Sequence, residues 1–411
     1  MKQRDPSPTQ EDMHPATAAL APFRRLQWPA LLVGAIGVVA ALFGAFFSWD
    51  EFWPSYLLAY SFWLEIALGC LGLLMVHHLV GGRWSTLICR LLEAGAMTLP
   101  LLTVLFIPLL FGLTTLYAWA SPEQVQESQA LQQKSLYLNV PFFMIRAALY
   151  FVVWNGLAYL LTRWSLEQDR TGAERLAPRM RRLSAVGLML YILTATLAAY
   201  DWLMSLEPEW YSSIFGLLFI AGQALAALAL AIIGLRLMAR RFPAVTGWTQ
   251  AFNDLGNLTL AFVMIWAYFS YSQFLIIWSV DFQEETIWYY HRMQGDWNQF
   301  GIFLIALHFG IPFFLLLWRG IKRNALLLTA LAVLMLAARW ADLYWLIMPA
   351  FWPSGLHLHW LDLALFVAVG GGWTARFIRH WTANSPIPQH DPRLGGTHER
   401  PAEVSPAEQG A

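Results

Sequence analysis

The chain has 411 residues, of which 58% are hydrophobic and 15% aromatic; 26 Lys and Arg balance 26 Asp and Glu, so only 13% are charged. A soluble globular domain carries roughly 25% charged residues, so an ordinary soluble protein, a disordered chain and a nucleic-acid binder are excluded. Cys70 and Cys89 stand in or beside apolar runs without CxxC spacing, which argues against a disulfide framework and against cysteine-bound zinc or iron–sulfur clusters.

Crossing the hydrocarbon core takes about 20 apolar residues. Ten such runs are expected, near 28–47, 56–77, 91–112, 140–162, 183–203, 212–238, 255–279, 298–318, 325–348 and 358–379. No strand-like alternation of about 10 residues repeats, which excludes a β-barrel. The first run starts late, behind Arg24 and Arg25, and is too long for a cleavable signal peptide. The fold class read from this pattern is all-α, a polytopic membrane protein with ten transmembrane helices. Residues 1–25 and 381–411, poor in large apolar groups, read as cytoplasmic tails around a membrane domain spanning 26–380. The loops near 113–139 and 164–182 are too short to hold a soluble catalytic domain.

An even number of spans puts both termini on one side. The segments on that side hold 22 of the Lys and Arg residues, from Lys2 and Arg4 to Arg393 and Arg400; the opposite loops hold only Lys134 and Arg292. The positive-inside rule makes both ends cytoplasmic. The outer loops carry acids instead, Asp50, Glu51, Glu207 and Glu209 among them. Such a face could attract a basic partner, or simply collect acids where basic residues are excluded.

An ionisable side chain within a span costs roughly 2.5–3.5 kcal/mol on insertion scales, so it faces a partner or a wet cavity. Glu65 falls near the middle of the second span, with Gly69 and Gly72 on its face, which would let another helix approach closely. Its expected role is a proton-accepting group, or the partner of Arg146 or Arg339. Arg146 lies two turns into the fourth span, Asp201 closes the fifth at the outer surface, and His308 is central in the eighth. Arg339 and Asp342, in the outer half of the ninth, and His359 and Asp362, at the outer end of the tenth, are i,i+3 neighbours. Each reads as an in-helix charge pair, either functional or a self-neutralised link between helices. Nearer the cytoplasm, His77, His78, Glu93, Asp254 and Asn257 could form a proton intake, or simply sit in the polar interface. No two histidines match in depth on facing helices, so no haem is expected in this chain. No repeated filter or charged ring points to a channel. A stand-alone ion-coupled transporter remains the alternative, although Pro108 and the Gly370–Gly372 run interrupt spans without corresponding to one another.

Ordered acidic and amide groups separate the interfacial Trp and Tyr residues in four outer stretches: 201–216 (DWLMSLEPEWYSSIFG), 271–292, which contains YSQFLIIW and EETIWYYHR, 339–345 (RWADLYW) and 357–362 (HLHWLD). Together they resemble the F-type membrane subunit of alternative complex III, the bacterial quinol:cytochrome c oxidoreductase, within the wider NrfD/polysulfide-reductase membrane-subunit family. The resemblance covers about residues 25–380. One departure is the segment 279–283, which stands where a Gly-Asn-x-Pro-like turn is usual.

The resemblance implies two four-helix bundles flanked by two further helices, in a bacterial inner-membrane complex. Its partners there would be a homologous C-type membrane subunit, a periplasmic iron–sulfur subunit and multihaem cytochrome c subunits. It implies a role in handling quinone, menaquinone or ubiquinone, or in conducting protons. Asp201, Arg339, Asp342, His359 and Asp362 match the family stretches; Glu65, Arg146 and His308 rest on depth alone. With no evident redox centre of its own, the chain is expected not to be an enzyme by itself.

Overall fold

The computed structural model describes residues 20–388 apart from 244 and 246, so most of the two expected tails lies outside the described residues. No strand occurs among the described residues. Among the described residues ten helices are long and apolar enough to cross a membrane, which makes the chain an integral, multi-pass membrane protein. In chain order they are α1 (Ala21–Phe47), α2 (Trp49–Val80), α3 (Trp84–Leu116), α4 (Val140–Thr171), α5 (Leu176–Leu206), α6 (Phe215–Arg241), α7 (Trp248–Val280), α8 (Gly295–Leu317), α9 (Ala325–Ala350) and α10 (Trp360–Thr382).

Most of these helices outrun the expected apolar spans, because polar residues continue the helix past the hydrocarbon edge. The segment 164–182, expected as a loop, is largely the end of α4 and the start of α5; only 172–175 connects them. Gly172, left-handed at φ 63°, ends α4. Asn139 begins that helix by accepting a bond from the Phe142 N–H at 2.9 Å. α3 is segmented. A break at Met97 and Thr98 precedes Pro100, and Pro108 starts a tight 3-10 stretch over Ile107–Gly112, as expected where a backbone donor is missing.

α2, α3, α4 and α5 each pack against their neighbours in a square, as do α6, α7, α8 and α9. The two four-helix bundles meet along α2 and α6. α1 packs chiefly on α10, and α10 also lies against α2. The Gly370–Gly372 run does not interrupt α10. A Cβ on Gly371 would strike the Gly34 backbone, and one on Gly34 would come within 3.0 Å of the Gly371 Cα, so these glycines let α1 and α10 touch backbone to backbone. The ends of the molecule differ in charge. The helix ends that carry Arg90, Arg170 and Arg241 form the basic end; those near Asp50, Glu207 and Asp296 form the acidic end.

Candidate functional site

At the junction of the two bundles, Arg339 of α9 gathers the central ionisable groups. Its Nη2 donates to Glu65 Oε1 of α2 at 2.5 Å. Its Nη1 donates to Asp342 Oδ2, one turn further along α9, and lies 3.3 Å from His308 Nε2 of α8. Trp266 of α7 donates from Nε1 to the same Asp342 oxygen at 3.2 Å, and its ring centroid lies 3.9 Å from that of His308. Four of the ten helices therefore supply one cluster. Each of its ionisable side chains is under 5% exposed.

Local sequence explains the convergence. Gly69, one turn after Glu65, allows α6 to approach so closely that a Cβ there would collide with the Gln223 carbonyl. Gly222 leaves the room that the Arg339 guanidinium and Glu65 occupy; a Cβ on it would strike both. Beyond Gly72, whose added Cβ would meet the Tyr191 ring, Tyr191 Oη donates to Gln223 Oε1. In α8 a π-turn over Ala306–Gly310, just before Pro312, carries the buried His308. Such single-turn bulges recur at functional sites.

The cluster holds one permanent cation against two carboxylates. With both ionised, it would carry one uncompensated negative charge where unpaired charge is expensive. Arg339 can only donate, so His308 Nε2 accepts and the ring proton sits on Nδ1. His308 Nδ1, Glu65 Oε2 and Arg339 Nε are buried with no hydrogen-bond partner among the described residues. One protonation would neutralise the cluster, and its orphaned donors and acceptor are what a water or a moving proton would engage.

Arg146 and Asp201, also singled out by sequence, lie elsewhere. Their pair closes the acidic end of the first bundle. Asp201 is not at the surface as expected; it is fully buried, because Arg146, Tyr150 and the last turn of α5 enclose it. Tyr150 Oη donates to Asp201 Oδ2 at 2.9 Å, and the Tyr137 ring covers the Arg146 guanidinium at 3.9 Å. This carboxylate is neutralised and well satisfied. Glu65 therefore pairs with Arg339 rather than with Arg146.

His359 and Asp362 do not form the expected in-helix charge pair. His359 is the residue before α10: its Nδ1 accepts from the Leu361 N–H at 3.4 Å, while Asp362 Oδ2 accepts from the His359 backbone N–H at 3.1 Å. That is a capping box built with an imidazole. Asp362 Oδ1 accepts instead from Ser55 Oγ of α2 at 2.5 Å. Nearby, His357 Nε2 lies 2.9 Å from Glu51 Oε1.

At the basic end the five intake candidates separate. Glu93 and Asp169 both bind Arg90, whose Nη1 also donates to Ser165 Oγ at 3.1 Å. His77 Nδ1 pairs with Ser85 Oγ at 2.6 Å, and the His78 ring lies 5.0 Å from that of His77. Asp254 accepts from Gln250 at 2.7 Å, whereas Asn257 Oδ1 accepts from Lys322 at 2.7 Å.

Sequence reasoning passed over Trp266, Ser55, Lys322 and Arg292. Arg292 is buried between the bundles' acidic ends. It binds Glu207 at 2.7 Å, donates to the Trp345 and Leu346 carbonyls that end α9, and lies 3.7 Å from the Trp288 ring centroid. Its burial, more than its contacts, pulls its pKa below the ordinary value. The 279–283 segment turns at Asp281, left-handed at φ 53°, a conformation that glycine or asparagine usually supplies. No protein-family model and no curated protein matches this chain.

Proposed function

We propose that the chain is a membrane subunit of a bacterial respiratory quinol:cytochrome c oxidoreductase of the alternative complex III kind. The cluster at the junction of its two bundles would handle protons in step with quinol oxidation, with the basic end of the chain in the cytoplasm. The carrying observation is the shared guanidinium: Arg339 is held at once by Glu65 and Asp342, beside His308, where four spans cross. Ionisable groups in a membrane interior are costly and mark transport of charge, and this set lacks one positive charge for complete neutrality. A proton arriving on Glu65 neutralises the cluster, and its departure restores the anion. Two protons leave for each quinol oxidised, so a group that alternates in this way suits a quinol-coupled complex.

Two further features support the reading. The pair of bundles with α1 and α10 alongside is the arrangement that the family resemblance implies. Asp342, Arg339 and Asp201 belong to the stretches that carry that resemblance. Haem, iron–sulfur clusters and the acceptor for electrons would come from partner subunits.

The test uses the complex purified from membranes through a tag on this chain. Haem proteins and an iron–sulfur protein should co-purify; a chain that purifies alone would favour a separate transporter. In the intact complex, Glu65→Gln is expected to cut coupled quinol turnover or proton release by about 100-fold or more, the scale of one lost proton-transfer group. Unchanged turnover and proton release in both Glu65→Gln and Asp342→Asn would remove the cluster from the mechanism.

A further inference from the structure

Away from the central cluster, a cavity of about 450 Å3 opens at the basic end between α3, α4 and α10. The Arg90 guanidinium, fixed by Glu93, Asp169 and Ser165, contributes to its wall. Arg163 and Arg170 contribute two more cations, and both are exposed. They stand seven residues apart on α4, hence on one helix face and separated by about 10 Å along the axis. Among the described residues neither makes an ion pair; Arg163 reaches only the Tyr159 hydroxyl, at 3.4 Å. Glu93 and Asp169 are both spent on Arg90, so Arg163 and Arg170 are left facing one lining carboxylate, Glu167. Met97, Leu166 and Trp381 supply apolar wall.

Cations at the mouth and apolar wall behind them select an amphiphile with an anionic head. The depth agrees, because the cavity lies where the basic ends of three spans leave the hydrocarbon, the level of the headgroups. We propose that this cavity is a binding site for an anionic phospholipid. The phosphodiester sits between Arg163 and Arg170, and the first methylenes of its chains lie against Met97, Leu166 and Trp381. Arg90, held by Glu93 and Asp169, is a fixed part of the wall rather than a source of free positive charge. The site is separate from the central cluster and does not depend on the function proposed above.

Native mass spectrometry of the full, delipidated chain measures the proposal, with phosphatidylglycerol and phosphatidylcholine of identical acyl chains titrated in parallel. Phosphatidylglycerol should bind the wild-type chain more tightly. The exposed double variant Arg163→Gln/Arg170→Gln should weaken it by about 30-fold, from the known contribution of each arginine near an anionic surface. Arg181→Gln/Arg182→Gln, on the same basic end but outside the cavity, should leave binding within about twofold. Equal binding of the two lipids would overturn the site, as would equal losses in the two double variants. Inorganic phosphate that displaces phosphatidylglycerol at equimolar concentration would assign the site to a free anion and overturn the lipid assignment.

Discussion

Arg146 and Asp201 face one another through two parallel hydrogen bonds, Nε to Oδ2 and Nη2 to Oδ1, each 2.9 Å long. This is the fork-to-fork geometry in which a guanidinium and a carboxylate satisfy each other best. It joins α4 to α5 within the first bundle, whereas the central cluster, at the junction of the two bundles, strings two carboxylates on one guanidinium. The first arrangement is closed, and the second is open to one more proton.

Removing one partner of the closed pair strands a buried charge. Asp201→Asn or Arg146→Met is expected to destabilise the solubilised chain by about 3–5 kcal/mol. The double variant should lose clearly less than the sum of the two. Unfolding in mixed micelles measures both quantities, and additive losses would contradict a direct pair.

The imidazole cap of α10 separates two readings of His359. Asparagine is among the best N-cap residues and alanine among the poor ones, with a difference of about 0.5–2 kcal/mol. His359→Asn should therefore match or exceed the wild-type chain in stability, and His359→Ala should fall below it. A charge pair with Asp362 would instead make both variants equally poor. The same unfolding assay distinguishes the outcomes.

Tyr289 lies outside the spans, and burial pushes its pKa from the usual 10 up to about 12, against weaker opposing pulls from Gln273 and Arg292. The folded chain thus holds a proton that the unfolded chain releases. The stabilisation is complete below pH 10 and is lost as the pH rises from about 10 to 12, by about 2–3 kcal/mol in all. In Tyr289→Phe that alkaline slope should flatten. At neutral pH the variant should lose only the bond from Gln273 Nε2, 3.2 Å long, at a cost of about 1 kcal/mol.

Spans and their number were legible because hydrocarbon thickness imposes a length that no soluble helix must obey. The face of Glu65 was legible too, since Gly69 and Gly72 recur on it at helical spacing and do admit α6 and Tyr191. Its partner was not. Arg146 and Arg339 both fall in the outer halves of their spans, and choosing between them requires the bundle order, which periodicity within one helix cannot give. Asp201 was misplaced for a related reason: a residue at the end of a span is at the surface only if no side chain from a neighbour covers it. The i,i+3 rule gave Arg339 with Asp342 correctly but misread His359 with Asp362, because the same spacing at a helix start describes a capping box. Lys322 and Trp266 gave no signal, since each acquires its meaning from a residue on another helix.

The glycine seam between α1 and α10 ties the first of the ten spans to the tenth. Gly34 reaches the membrane more than three hundred residues before its close neighbour Gly371. During synthesis α1 must wait in lipid, held by apolar length alone, until the tenth helix inserts. A chain cut short before α10 would therefore leave the small-residue face of α1 unfilled, a groove that marks incomplete assembly.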